Sequence, residues 1–172
     1  MLGRMLETLR TRLSPWELDD WRELRYIAKD PEVMRYIAEG QPWPDDRIQE
    51  FVSRQIGHFE ARRFCMWKMT SREPGVAGVI GFCGIQPWLD TDEIEIGWWL
   101  ARCCWGKGIA TEAARAVLQD AFERRGLRRI IAIAQPANGA SRRIMEKLGM
   151  RYERDTTSRG ISVVLYAVEA SK

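Results

Sequence analysis

Apolar residues recur along this chain with two different spacings, and each spacing predicts a type of secondary structure. Helical spacing is clearest after Asp45, a predicted N-cap, and indicates an amphipathic helix to about Arg62. A second long helix is predicted at about 110–125, where Gly126 favours its end. Shorter helices are predicted at 19–28, 31–36 and 138–148.

Alternation of apolar and polar residues predicts the strands, because neighbouring side chains of a strand point to opposite faces. In 93–100 one face holds Ile94, Ile96, Trp98 and Leu100, and the other holds Glu93, Glu95, Gly97 and Trp99. Other strands are predicted at 9–13, 64–69, 76–86, 129–135, 152–156 and 161–168. This order of elements favours a mixed α/β or α+β fold with a single sheet.

The composition is that of one globular domain spanning residues 1–172. Apolar residues make up 45% and charged residues 30% of the chain, which excludes disordered and collagen-like classes. The net charge of +3 gives no reason to expect nucleic acid or a membrane surface as a partner. No run approaches the roughly 20 apolar residues of a membrane helix, and we expect no secretory signal in the charged N-terminal segment.

Cysteine and tryptophan usage bears on metals, location and assembly. The four cysteines lack metal-ligand spacing and the only histidine, His58, is distant in sequence, so we expect no metal site. Free thiols fit a reducing compartment, and we expect a cytoplasmic location. Eight tryptophans predict an aromatic core or an aromatic-lined pocket. An exposed tryptophan cluster would favour a homodimer.

A glycine-rich segment between a predicted strand and a predicted helix is the sharpest chemical feature. Its sequence is Trp105-Gly106-Lys107-Gly108-Ile109-Ala110-Thr111. Alternate glycines allow a tight turn that points several backbone N–H groups the same way, and the helix start adds roughly half a positive charge. These features suit a phosphate. The spacing matches neither a P-loop nor a dinucleotide fingerprint, so a plain strand-to-helix turn stays open from this segment alone.

Three stretches share their sequence and spacing with one family: 95–100 (EIGWWL), 105–113 (WGKGIATEA) and 138–150 (NGASRRIMEKLGM). Together with 30–36 and 79–84 they resemble the GNAT acetyltransferase superfamily, and most closely its RimJ/RimL-like branch, which includes enzymes that acetylate ribosomal-protein N-termini. The resemblance covers about residues 8–168. It implies a GNAT fold: a single mixed, mostly antiparallel sheet of six to seven strands, flanked by helices and splayed at the cofactor site.

The resemblance implies acetyl-CoA as the acetyl donor and no metal. Backbone groups of Trp98, Trp99 and Leu100 would flank the acetyl-pantetheine arm. Trp105 stands where the general superfamily has Gln or Arg, although the RimJ/RimL-like branch often carries Trp there. The residues expected around the pyrophosphate are Gly106, Lys107, Gly108, Ile109, Ala110 and Thr111.

The last predicted helix would also contact the donor. By the resemblance, Asn138 would hydrogen-bond the pantetheine, and Arg142 or Arg143 would reach the phosphates at the adenine end. Plainer roles remain open, because Asn is a good N-cap and arginines on a helix are often simply solvated.

By the same resemblance, an amine attacks the thioester directly. Glu95 is the predicted base, acting directly or through water, and a purely structural carboxylate is the alternative. Ser141 would lie near the thioester sulfur. Several relatives protonate the leaving thiolate with a Tyr where this chain has Met145, so Ser141 or a water is expected to do so. Ile133 stands where some relatives carry a catalytic Glu.

The predicted acceptor is a primary amine, and its pKa favours a protein or peptide N-terminus. Deprotonation at pH 7 costs about 1.4 kcal/mol for an α-amine but about 4.6 kcal/mol for a lysine amine. We expect Tyr36, Gln41, Trp43 and Trp99 to wall the acceptor pocket, because the loop between helices lies over the sheet in this family.

Two other functions stay open. One is acetylation of a small amine such as a polyamine or aminoglycoside, which an acidic pocket would favour. The other is a non-catalytic acyl-CoA-binding or ribosome-associated module. The acidic residues available for such a pocket are Asp45, Asp46, Asp90, Asp92 and Glu93.

Overall fold

The computed structural model describes residues 5–171, and its strands and helices alternate much as the two spacings predict. The strands are β1 (Leu6–Glu7), β2 (Thr11–Ser14), β3 (Met66–Ser71), β4 (Val79–Pro87), β5 (Ile94–Leu100), β6 (Arg129–Ala134), β7 (Arg151–Ser158) and β8 (Ile161–Glu169). The helices are α1 (Trp21–Ala28), α2 (Pro31–Met34), α3 (Asp45–Arg62), α4 (Ile109–Gln119) and α5 (Gly139–Lys147). The mixed α/β fold class is confirmed.

The strands form one sheet in the order β1-β2-β3-β4-β5-β6-β8-β7. Among the described residues, neighbouring strands are antiparallel except β5 and β6, which are parallel and share one register pair, Glu95 with Ile131. β5 pairs along its length with β4, and β6 pairs with β8. Because each strand follows its other neighbour, β5 and β6 separate beyond Glu95, which is the expected splay.

The sheet has eight strands rather than six to seven because the strand predicted at 9–13 belongs to a hairpin. β1 and β2 pair on either side of a turn that contains Leu9 and Arg10. Leu9 is 84% exposed, whereas Leu13 is fully buried. The prediction was therefore wrong for the first two residues of that segment, since alternation alone does not distinguish a turn from a strand end.

Two helix boundaries also differ from expectation. Asp45 is the first residue of α3, and Pro44 occupies the N-cap position. The carboxylate of Asp45 instead pairs with Lys29 at 2.6 Å, which ties α3 to the end of α1. The helix predicted to about 125 ends as α4 at Gln119 and continues as a π-helical turn, Asp120–Arg124.

Aromatic rings fix α3 over the middle of the sheet. Phe51 of α3 packs on Phe82 of β4 with centroids 5.0 Å apart, and Phe82 packs on Trp99 of β5 at 4.8 Å. Trp43, in the loop before α3, lies 4.7 Å from Trp99. The tryptophan-rich composition thus supplies part of the core, as expected.

Gly84 of β4 lies where the neighbouring backbone leaves no room for a side chain. A Cβ there would overlap the Cys65 carbonyl oxygen and come within 2.7 Å of the Met66 Cα. Gly57 provides the contrast, because it lies inside α3 with no atom within 4 Å of such a Cβ.

We expect Gly84→Ala to lower the free energy of unfolding by about 3 kcal/mol, because the methyl group meets backbone atoms that cannot move without disturbing the β3–β4 pairing. Gly57→Ala should raise it by about 0.5–1 kcal/mol, because alanine is the better helix former. Urea unfolding of both variants measures the changes. Similar effects at both positions would contradict the described packing.

Candidate active site

Two cavities open beside the gap between β5 and β6. The nest cavity, about 410 Å³ in volume, is lined by the glycine-rich segment, the start of α4 and part of α5. The Glu95 cavity, about 270 Å³, is lined by Glu95, Gln86, Arg54 of α3 and the β7–β8 turn. The cavities adjoin, and the residues common to both walls are Tyr36, Ile37, Trp98, Trp99, Asn138 and Ser141.

The glycine-rich segment turns through two left-handed residues, Gly106 and Gly108, with φ of 71° and 73°. Gly108 is the N-cap of α4, and the first helical hydrogen bond runs from the Glu112 N–H to the Gly108 carbonyl. Within residues 5–171, the N–H groups of 109–111 have no hydrogen-bond acceptor. Free donors at the positive end of a helix dipole suit an anion.

Arg10 braces this segment from the β1–β2 turn. Its backbone N–H and Nε donate to the two carboxylate oxygens of Glu112 at 2.9 and 2.7 Å, and its Nη1 donates to the Lys107 carbonyl at 2.7 Å. Burial raises the pKa of Glu112, but hydrogen bonds from Thr8 and Arg10 outweigh burial and hold that pKa below its ordinary value. Sequence reasoning missed Arg10, which lies 102 residues before Glu112.

Trp105 fastens the segment to the end of β5. Its indole N–H donates to the Leu100 carbonyl at 2.7 Å, and both residues line the nest cavity together with Trp98 and Trp99. Lys107 is the exception within the segment, because it lines neither cavity. The prediction for Lys107 therefore has no geometric support.

Positive charge predominates in the nest cavity. Arg35, Arg143 and Lys147 line it, and Glu32 is the carboxylate that does so among the described residues. Sequence reasoning expected Arg143 and missed Arg35, whose neighbour Tyr36 was assigned only to the acceptor pocket. Such a set of cations favours a ligand with several negative charges.

Arg142 points away from both cavities. Its Nε donates to the Tyr166 hydroxyl at 3.3 Å, and its Nη1 donates to the Pro136 carbonyl at 3.2 Å. Successive residues of a helix face different directions, and here Arg142 is turned toward Tyr166 and Pro136. The structure brings Arg143 to the cavity and leaves Arg142 outside.

Asn138 and Ser141 lie where the two cavities meet. Asn138 caps α5, since its Oδ1 accepts the Ser141 N–H at 3.1 Å. In the described part of the chain, the Nδ2 of Asn138 and the Ser141 hydroxyl have no partner, and the buried indole N–H of Trp98 has no acceptor. A buried donor without an acceptor costs about 1–3 kcal/mol. The junction therefore suits a ligand that accepts hydrogen bonds.

The expected acceptor wall forms in part. Tyr36 and Trp99 line both cavities and Trp43 lines the Glu95 cavity, whereas Gln41 lines neither. Met145 is 1% exposed and lies in the core, so this position supplies no proton donor to either cavity.

A chain of hydrogen bonds that begins at a backbone amide orients Glu95. The Met66 N–H donates to Gln55 Oε1 at 2.9 Å. Gln55 Nε2 donates to Gln86 Oε1 at 2.9 Å, and Gln86 Nε2 donates to Glu95 Oε1 at 2.6 Å. A backbone N–H can only donate, so the Gln55 side chain must turn its oxygen toward Met66 and its NH₂ group toward Gln86. Gln86 is oriented in the same way, and its NH₂ group therefore donates to the Glu95 carboxylate. Neither glutamine carries a sequence signal for this role.

Burial raises the pKa of Glu95, and the opposing effects of the Gln86 hydrogen bond and of the Arg159 and Arg54 charges are smaller. A carboxylate with a raised pKa is a stronger base. Glu93, predicted on the same strand face as Glu95, lies just before β5; it pairs with Arg129 at 3.2 Å and lines neither cavity.

Two features are absent from residues 5–171. No three His, Cys, Asp or Glu side chains lie together in a way that could hold a metal ion. No helix in this part of the chain is long and apolar enough to cross a membrane.

Comparison with known proteins gives a family match and curated relatives. The acetyltransferase (GNAT) domain model matches residues 10–151. The uncharacterized N-acetyltransferase YnaD of Bacillus subtilis is 33% identical over 148 residues, which cover 86% of this chain and 83% of YnaD.

Solved structures share the fold. A GNAT-family acetyltransferase from Bacillus anthracis superposes with a TM-score of 0.80 and 27% identity, covering 96% of this chain and 98% of that one. RimL, described as a ribosomal L7/L12 alpha-N-protein acetyltransferase in complex with coenzyme A, superposes with a TM-score of 0.79 and 17% identity, covering 96% and 98% of the two chains.

We expect the melting temperature of Glu95→Gln to rise relative to wild type as the pH increases from about 5 to 8. A carboxyl whose pKa is raised by folding contributes stability that is present below its unfolded pKa and lost as pH rises through its folded pKa. The amide removes that loss and can still accept from Gln86. Glu60→Gln, exposed on α3, is the control. A difference that does not change with pH would contradict a raised pKa.

Proposed function

The chain belongs to the acetyltransferase (GNAT) family, and on that premise we propose that it transfers the acetyl group of acetyl-CoA to the α-amine of a protein or peptide N-terminus. Family membership establishes the acyltransferase activity, whereas the acceptor class and the residue roles are proposed. The observation that carries the proposal is the junction of the nest cavity and the Glu95 cavity at Asn138 and Ser141. Donor and acceptor can meet there from opposite sides.

The nest cavity suits the phosphate-bearing donor. The free N–H groups of 109–111 and the cations Arg35, Arg143 and Lys147 all favour a polyanion. The unpartnered indole N–H of Trp98 offers a donor for the amide or thioester oxygens of the arm. When bound, acetyl-CoA supplies a thioester carbon that an amine can attack.

Glu95 and Ser141 would divide the proton transfers. Glu95 takes a proton from the acceptor ammonium, directly or through water, and later releases it to solvent. The nitrogen then bonds to the thioester carbon while the carbon–sulfur bond breaks. A second nitrogen-bound proton passes to the Ser141 oxygen as the Ser141 hydroxyl proton passes to the departing sulfur. The products are the acetylated amine and a free thiol, so atoms and charge balance.

An α-amine requires less of this base than a lysine amine does. Its deprotonation at pH 7 costs about 1.4 kcal/mol instead of about 4.6 kcal/mol. A buried carboxylate of raised pKa, held by Gln86, is suited to accept such a proton. RimL, which shares the fold at 17% identity, is described as an alpha-N-protein acetyltransferase, so N-terminal peptides are the first acceptors to test.

Location and assembly are a further part of the proposal. The four cysteines are free thiols, which supports a cytoplasmic location. A homodimer has less support. Among the described residues a single tryptophan, Trp105, is exposed (45%), and it lines the nest cavity. The exposed tryptophan cluster that would favour a dimer is therefore not formed.

The test is turnover of acetyl-CoA with N-terminal peptides and small amines, followed by thiol release and product mass. We expect acetylated peptide from wild type, and we expect Glu95→Gln to lower kcat by about 10²–10⁴-fold without changing the KM for acetyl-CoA. Glu93→Gln is the matched control, because Glu93 lies two residues before Glu95 in the chain and outside both cavities.

Three outcomes would contradict parts of this proposal. A higher melting temperature with acetyl-CoA but no turnover of any amine would favour a non-catalytic acyl-CoA-binding module. Acetylation of small amines alone would contradict the N-terminal acceptor. Wild-type kcat in Glu95→Gln would remove Glu95 as the base.

A further inference from the structure

The charges around the Glu95 cavity do not cancel. Its lining includes three arginines, Arg47, Arg54 and Arg159, and two acidic residues, Glu39 and Glu95. Arg47 and Glu39 form their own ion pair at 2.9 Å. The remaining two arginines face one carboxylate, so the cavity keeps a positive charge even when Glu95 is ionised.

Arg54 and Arg159 have neither a carboxylate at ion-pair distance nor a hydrogen-bond acceptor within residues 5–171, and Glu50, one turn before Arg54, is not close enough to pair. Arg54 is exposed to solvent on one side, but the surrounding protein partly buries it and this burial lowers its pKa. The positive charges of Arg159 and Arg47 lower this pKa further, while the negative charges of Glu50 and Glu95 raise it. Like charges gathered without carboxylate partners are unfavourable for folding, and ionisable groups with perturbed pKa values concentrate at functional sites.

The nest cavity provides an internal comparison. Arg35 and Arg143 line it and likewise have no carboxylate at ion-pair distance among the described residues. That cavity belongs to a family whose donor is a polyanion. Unpartnered arginines in the adjoining cavity indicate that its ligand is negatively charged as well.

The backbone of Arg159 adds a second, independent observation. Ser158 pairs with Ile161 across a two-residue turn in which Arg159 and Gly160 have φ of 51° and 80°. Positive φ at both positions is typical of a type I′ turn, for which Asn-Gly is the preferred pair. The left-handed conformation is strained for residues other than Gly and Asn, because the Cβ comes too close to the following carbonyl oxygen. The arginine therefore occupies a position where Asn would be less strained, and it lines the Glu95 cavity.

We propose that the acceptor carries an anionic group, a carboxylate or a phosphate, near its reactive amine, and that Arg54 and Arg159 bind this group at the Glu95 cavity. This inference rests on the proposed transfer to an amine and specifies the substrate class of that site. Guanidinium forks bind both anions through paired hydrogen bonds.

The same charges argue against a polycationic acceptor. An acidic pocket is what a polyamine or aminoglycoside would need, and the sequence offers acidic residues for it. The structure places none of them in the Glu95 cavity; the five residues are Asp45, Asp46, Asp90, Asp92 and Glu93. A polycation would instead meet the two unpartnered arginines.

The direct test compares acceptors that differ only in charge. On one peptide scaffold beginning with Ala, the second residue is Asp, Asn, phosphoserine or Ser. We expect kcat/KM to be about 10–100-fold higher for the anionic member of at least one pair, because a hydrogen bond to a charged group contributes about 1.5–3 kcal/mol. The Asp–Asn pair tests a carboxylate and the phosphoserine–Ser pair tests a phosphate. Equal values within both pairs would overturn the proposal.

Arg159→Asn separates binding from folding. We expect this variant to melt at or above the wild-type temperature, since Asn suits the turn, while losing most of the preference for the anionic acceptor. Arg54→Gln should lose the preference too, and Arg62→Gln, exposed on the same helix, should keep it. The KM for acetyl-CoA should not change. An unchanged preference, or an equal loss for anionic and neutral acceptors, would show that the arginines do not bind the acceptor.

A second pair of probes keeps this inference distinct from the N-terminal proposal. Phosphoethanolamine and ethanolamine are small amines that differ by one phosphate. If peptides are not acetylated but phosphoethanolamine is preferred to ethanolamine, the N-terminal acceptor is wrong and the anionic acceptor stands. If ethanolamine or spermidine is preferred, the anionic acceptor is wrong.

Discussion

The separation of β5 from β6 is the constraint on which the rest of the site depends. The two strands share one register pair, Glu95 with Ile131, and each then follows its other neighbour in the sheet. Ligands can enter the resulting gap, while β5 stays hydrogen-bonded to β4 and β6 stays hydrogen-bonded to β8. Both cavities open beside it, and α4 and α5 direct their N-termini toward the nest cavity. The reactive position is thus built on rigid elements, which favours accurate positioning of two substrates.

The two cavities have different chemical tasks and are kept distinct. The nest cavity gathers backbone N–H groups and cations that favour phosphates. The Glu95 cavity needs one carboxylate that can accept a proton, and burial together with the amide chain from Gln55 through Gln86 provides it. Each ionisable group is placed where its surroundings favour its task, although burying Glu95 reduces stability at high pH.

The features that sequence could predict are those encoded by adjacent residues. Gly106 and Gly108 do adopt the left-handed conformation that their spacing suggests, and Asn138 does cap its helix. Features that depend on contacts between distant segments could not be predicted. The Arg10–Glu112 brace and the Gln55–Gln86–Glu95 chain join parts of the molecule that no local pattern connects. The rotation of α5 about its own axis could not be predicted either, because the spacing alone does not tell which of Arg142 and Arg143 faces the gap.

Hydrogen exchange with and without acetyl-CoA tests the central claim, that the gap beside β5 and the start of α4 bind the donor. We expect slower exchange for peptides covering 105–113, where the free N–H groups at the start of α4 would gain acceptors, and for peptides covering 138–143, which line the junction of the two cavities. Peptides covering β3, which is two strands from β5 and lines no part of the nest cavity, should exchange as before. Protection confined to other segments, or no protection at 105–113 at saturating acetyl-CoA, would contradict it.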